Sequence, residues 1–63
     1  MLTNSEFKAR AQAIAQKNAW RLDIQEYNGS IEAWFSDPAR NDVDTAQAYM
    51  NAEDGLVGLA ELE

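Results

Sequence analysis

The sequence contains no cysteine and no histidine. Without thiols there is no disulfide framework and no thiolate metal site. Without imidazole the commonest general base, the commonest metal ligand and the histidine-activated nucleophiles are all missing. Long apolar runs are missing too. Nothing approaches the roughly 18 residues that a bilayer-spanning helix needs, and the opening MLTNSEFKAR has no signal-peptide apolar core. A cytoplasmic location with no membrane partner is the expectation. Cations are scarce, with 5 Lys and Arg against 11 Asp and Glu. Binding a phosphate backbone depends on Lys and Arg releasing counterions, so direct nucleic-acid binding is not expected. One proline and three glycines leave no linker or low-complexity segment in a chain of 63 residues. Residues 1–63 read as one small domain, a size that buries only about 60% of the surface its unfolded chain exposes.

The charge that is present is unevenly placed. In residues 1–36, Glu6, Asp23, Glu26 and Glu32 are balanced by Lys8, Arg10, Lys17 and Arg21. In residues 37–63, Asp37, Asp42, Asp44, Glu53, Asp54, Glu61 and Glu63 face Arg40 alone, so the whole net charge of −6 lies there. A basic protein surface is the expected partner, because complementary fields speed encounter and suppress wrong partners. The plainer alternative is that the acidity only keeps a small protein soluble.

Near the start, Thr3 stands three residues before Glu6 at capping-box spacing, and Leu2 and Phe7 occupy the positions of a hydrophobic staple. Phe7, Ala11, Ile14 and Ala15 then form a thin apolar stripe, which predicts a helix over 4–17 ending near Asn18. From Trp20 the period becomes two. Asn28-Gly29 is the pair favoured by a two-residue type I′ turn and predicts a hairpin. With that pair as the loop, Leu22 faces Phe35 and Ile24 faces Ala33 on one side. Asp23 faces Trp34 and Gln25 faces Glu32 on the other. If the helix covers the first side, Trp34 and Tyr27 point away from it, unless later elements fold over them.

Asp37-Pro38 suits the start of a short turn. A second helix is predicted from about Asn41 or Asp42 to Gly55. Val43, Ala46 and Met50 would form its stripe, with Tyr49 as a further candidate, and Asp42 and Asp44 would sit at its positive end. The tail LVGLAELE reads as a short helix, with an edge strand at Leu56-Val57 as the alternative. The predicted class is therefore α+β, in the order α-β-β-α-α or with a third strand at the end. A lone hairpin is marginal in water, so helices or a second copy must complete the core. A homo-oligomer built through the second sheet face is one such solution.

No cofactor is expected. Asp42 and Asp44 have the spacing that begins a calcium loop, but Gln47 stands where that loop needs glycine. The hydroxyls have no base to activate them, and Gly29, Gly55 and Gly58 form no phosphate cradle. A non-enzymatic recognition role follows. Its candidate contact residues are Asp37, Asp42, Asp44, Glu53 and Asp54, as a spaced negative array, with Tyr27, Glu32 and Trp34 as the aromatic anchor and its rim.

In being short, acidic, free of Cys and His, and built from a helix, a YNGSI hairpin and the acidic segment DPARNDVDTAQAYMNAED, the chain resembles the small anti-CRISPR proteins of phages and mobile elements. Those proteins share no motif, so the resemblance assigns no role to any single residue. It implies an inhibitor that binds a CRISPR effector complex, a type I multi-subunit effector foremost. Its acidic side chains would occupy the basic groove meant for DNA. The competing expectations are an inhibitor of another nucleic-acid enzyme and a small self-associating structural or regulatory subunit.

Overall fold

In the computed structural model, which describes residues 2–63, the chain is α+β. Helix α1 spans Asn4–Asn18, strand β1 Arg21–Tyr27 and strand β2 Ser30–Asp37. A 3₁₀ turn over Pro38–Arg40 leads to β3, Val43–Asn51, then β4, Gly55–Val57, and a short helix α2, Leu59–Leu62. The strands form one antiparallel meander in the order β1-β2-β3-β4. No helix is long and apolar enough to cross a membrane among the described residues.

Helix α1 starts as its sequence dictates. The Glu6 N–H donates to the Thr3 hydroxyl at 3.1 Å, and the Thr3 N–H donates to the Glu6 carboxylate at 2.9 Å. Two of the amides that a helix start leaves without partners are satisfied reciprocally. Phe7, Ala11, Ile14 and Ala15 are all buried, and the helix packs over β1 and β2. At its other end the left-handed residue is Ala19, with φ 55°, and not Asn18. The Asn18 side chain instead donates to the Ile14 carbonyl at 2.9 Å.

The hairpin register is the predicted one throughout, from Arg21 opposite Ser36 to Tyr27 opposite Ser30. Its turn differs in type. Gly29 has φ 87°, but Asn28 is not among the residues with positive φ. Positive φ at the second central position alone is the pattern of a type II turn, not type I′.

The second predicted helix is not formed: residues 43–51 are strand β3. Their Val43, Ala46 and Met50 fit helical spacing, but Ala46, Ala48 and Met50 equally alternate with period two. The three of them face the core side, where Ala48 and Met50 are buried and Ala46 packs on the buried cluster. Pairing with β2 along almost its whole length decides between the periods, because without β3 that edge of the hairpin would be an open ladder. The tail contains both of its alternatives, β4 at Gly55–Val57 and α2 at Leu59–Leu62. Between them Gly58, with φ 96°, lies against β3. A Cβ there would come within 2.8 Å of the Gln47 carbonyl oxygen.

The core lies between α1, α2 and one face of the sheet. Phe7, Phe35, Ile14, Ile31 and Leu59 are its largest fully buried side chains, and Trp20 stacks against Phe35 at 5.8 Å with a 57° tilt. On the helix side the cations are engaged. Lys8 pairs with Glu26 at 3.1 Å, Arg10 holds the Glu63 carboxylate, and Lys17 donates to the Glu63 carbonyl.

An alanine in the left-handed region costs roughly 1–2 kcal/mol of conformational strain, which glycine does not incur. Replacing Ala19→Gly should therefore raise stability by about 0.5–1 kcal/mol after the added freedom of the unfolded chain is subtracted. Urea unfolding checks this, and a loss of stability would contradict the cap geometry.

A second expectation concerns acid. The Thr3 backbone N–H, and after it the Thr3 side chain, hold the Glu6 carboxyl below its ordinary value of 4.5. Hydrogen bonding from Arg10 does the same for Glu63. Both folded values lie below the unfolded ones, so the unfolded chain takes up these protons first. Their contribution is intact above about pH 5 and is lost as pH falls through 4.5 and the lowered values. Urea midpoints should fall on that acid side, and Glu6→Gln should lower the neutral-pH midpoint while flattening the fall.

Candidate functional site

Four strands have two faces, and the helices cover one. Residues with the opposite parity point away from the core. They are Arg21, Asp23, Gln25 and Tyr27 on β1, Ser30, Glu32, Trp34 and Ser36 on β2, and Gln47, Tyr49 and Asn51 on β3. Trp34 therefore faces outward, with 37% of its surface exposed, while its neighbour Phe35 is fully buried. No later element folds over it. Tyr27 is 53% exposed at the hairpin end of the same face.

Asp44 reaches this face through an irregularity. Phe35 pairs with Ala46, but Ser36 pairs with Asp44, so Thr45 is an extra residue in β3. Simple alternation would turn Asp44 towards the core side along with Ala46. The bulge flips it to the outer side, beside Trp34, which is the re-aiming that a one-residue insertion in a ladder produces.

The result is a shallow, open concavity of about 410 Å³ lined by Asp23, Gln25, Tyr27, Glu32, Trp34 and Asp44. Trp34 stands near its middle, directly across from Asp23 on β1 and from Gln47 on β3. Its walls are held by their own hydrogen bonds. The Trp34 indole N–H donates to Glu32 at 2.9 Å, and Gln25 donates to Asp23 at 3.3 Å. Arg21, on the same face of β1, is bound to Asp42 at 3.0 Å.

The sequence-predicted contact residues thus divide. Tyr27, Glu32, Trp34 and Asp44 come together in the concavity. Asp42 lies at the end of the sheet away from the hairpin turn, in the left-handed region with φ 57° and paired with Arg21. Asp37 caps the 3₁₀ turn, its carboxylate accepting from the Ala39 N–H at 2.9 Å. Glu53 and Asp54 lie in the β3–β4 turn, where the Asp54 N–H donates to the Asn51 side chain at 2.6 Å. That turn is separated from Asp44 by most of β3, roughly 20 Å at strand rise. The acids predicted to cap and line a second helix do neither, because no helix is there. Asp23 and Gln25 belong to the site but were not expected as contacts, although the hairpin register already sets them opposite Trp34 and Glu32. Tyr49, a candidate for the inward stripe of the predicted helix, instead lies half-buried on this outer face opposite Glu32, because its segment is a strand.

Set against protein-family models, curated proteins and solved structures, the chain matches none of them.

The two neighbouring aromatics on β2 should respond to truncation differently. Phe35→Ala empties a fully buried site and should cost about 3–5 kcal/mol of stability. Trp34→Ala, on the outer face, should cost less than about 1.5 kcal/mol. Paired urea titrations measure both, and equal losses would place Trp34 in the core.

Proposed function

We propose that this protein is a non-enzymatic inhibitor that docks its outer sheet face on a basic surface of a nucleic-acid-handling complex and blocks access to DNA. The target class is the one the anti-CRISPR resemblance implies, a type I multi-subunit effector. The observation that carries the reading is the concavity around Trp34. An exposed tryptophan and tyrosine supply an apolar anchor of the kind found at binding hot spots, and Asp23, Glu32 and Asp44 supply the negative rim. The surrounding field does the steering. Glu53 and Asp54 at one end and Asp37 and Asp42 at the other extend the negative charge beyond the site.

Self-pairing through the same face is the weaker reading. A two-fold contact sets a patch against its own copy. Asp23, Glu32 and Asp44 of one molecule would then meet the same carboxylates of another, and like charges juxtaposed at an interface are costly.

Target-DNA binding by a purified type I effector, followed by gel shift, tests the proposal. Excess wild-type protein should abolish the shift. Trp34→Ala should weaken inhibition by at least about 30-fold, the equivalent of 2 kcal/mol at a hot spot. Asp23→Lys with Asp44→Lys should eliminate it, whereas Glu53→Lys with Asp54→Lys should mainly slow association. Undiminished DNA binding in the presence of the wild-type protein would reject the reading.

A further inference from the structure

From the chemistry of the concavity we infer the side chain that it receives: a single arginine of the partner, its guanidinium laid on the Trp34 ring and held by the surrounding carboxylates. This rests on the docking reading above and makes it specific. Three observations favour that occupant. The first is charge. The lining contributes Asp23, Glu32 and Asp44 and no cation, and Arg21 at its margin is already paired with Asp42. The second is spacing. Among the described residues no three carboxylates converge closely enough to hold a metal ion. The three that border this concavity stand on three different strands, so a cation that reaches more than one of them needs several donors. A guanidinium spreads five N–H groups around a plane and meets carboxylates two bonds at a time, whereas an ammonium is a compact point charge. The third is the ring itself. Arginine stacks on an aromatic face through both its cationic and its planar character, and tryptophan is the best acceptor for it.

Internal hydrogen bonds set up this geometry before any partner arrives. The Trp34 indole N–H to Glu32 fixes the ring and one carboxylate together, and Gln25 steadies Asp23. Asp44, which the bulge brings to this face, has no such side-chain hydrogen bond among the described residues and closes on the guanidinium from the β3 side.

Amide correlation spectra of the ¹⁵N-labelled full chain, titrated with the tripeptide Ac-Gly-Arg-Gly-NH₂, test the assignment. The chain has two tryptophans, so the buried-side Trp20 indole serves as an internal reference for Trp34. The Trp34 indole resonance should shift saturably at millimolar peptide while that of Trp20 stays in place. The lysine tripeptide should bind at least about fivefold more weakly, for want of the planar fork. The neutral citrulline tripeptide, which keeps the shape without the charge, should not saturate. Asp23→Asn with Asp44→Asn, both at exposed positions, should abolish the arginine response with the rest of the spectrum unchanged. An absent or unsaturable response, or equal binding of the lysine tripeptide, overturns the arginine assignment. If that happens while lysine substitutions at Asp23 and Asp44 still release the effector, the face docks by another contact and only the arginine falls. If both tests fail, the face is not the docking surface.

Discussion

A four-stranded sheet has two faces to protect from water, and this chain has one helix long enough to cover either. Helix α1 settles on the face carrying Ile31, Ala33, Phe35, Ala48 and Met50, and α2 adds Leu59 to the same core. Small side chains at Ala11 and Ala15 on the helix and at Ala33 and Ala48 on the sheet allow close approach, so a modest apolar stripe suffices. Everything on the second face follows from that choice. It must be polar enough to stay solvated, and any large aromatic left on it stands beside water. Trp34, Tyr27 and the half-buried Tyr49 are those aromatics, and the polar surround of Asp23, Gln25 and Glu32 keeps the face solvated without a cover.

The allocation of charge reinforces this division. Lys8, Arg10 and Lys17 lie on α1 and are engaged by Glu26 and the end of the chain, so the helix side is close to neutral. These exposed pairs contribute little to stability individually. Their larger effect is on the field, because cations occupied on one side cannot compensate acids on the other. The asymmetry along the sequence is a separate matter: Asp23 and Glu32 come from the neutral half, while the acids of residues 37–63 are spread over both ends of the sheet, the concavity (Asp44) and the α2 end of the chain.

Residues 1–37 are legible because their signals are local and redundant. Capping box, staple and apolar stripe all mark α1. In the hairpin, two-residue spacing and alternation agree on one register, and that register already places Trp34 opposite Asp23 and away from Leu22 and Phe35. The turn type was less legible, since Asn28-Gly29 fits more than one two-residue turn and φ at Asn28 depends on the strands it joins. Residues 43–51 misled for a different reason. VDTAQAYMN has two alanines and only one β-branched aliphatic residue, it holds apolar residues at helical spacing, and two of its three inward side chains are alanines. No local feature signals a strand strongly. What makes it one is a long-range ladder with β2, which a sequence pattern does not contain.

The same misreading concealed how the site is completed. On a helix, Asp42, Asp44, Glu53 and Asp54 would have made a single array; on a strand, its two ends are far apart and only Asp44 meets the aromatics. Even that meeting is not a consequence of strand parity. Along β3 the even-numbered residues Ala46, Ala48 and Met50 face the core, and an uninterrupted ladder would have sent Asp44 after them, burying a carboxylate or breaking the strand. The extra residue at Thr45 avoids both. It ends the inward run after Ala46, leaves Val43 at the sheet margin, and turns Asp44 out beside Trp34. One inserted residue thus relieves a conflict between charge and burial, and by relieving it supplies the third carboxylate of the concavity. Bulges persist where they re-aim a side chain. Here the stability of the core and the composition of the outer face are tied to the same backbone irregularity.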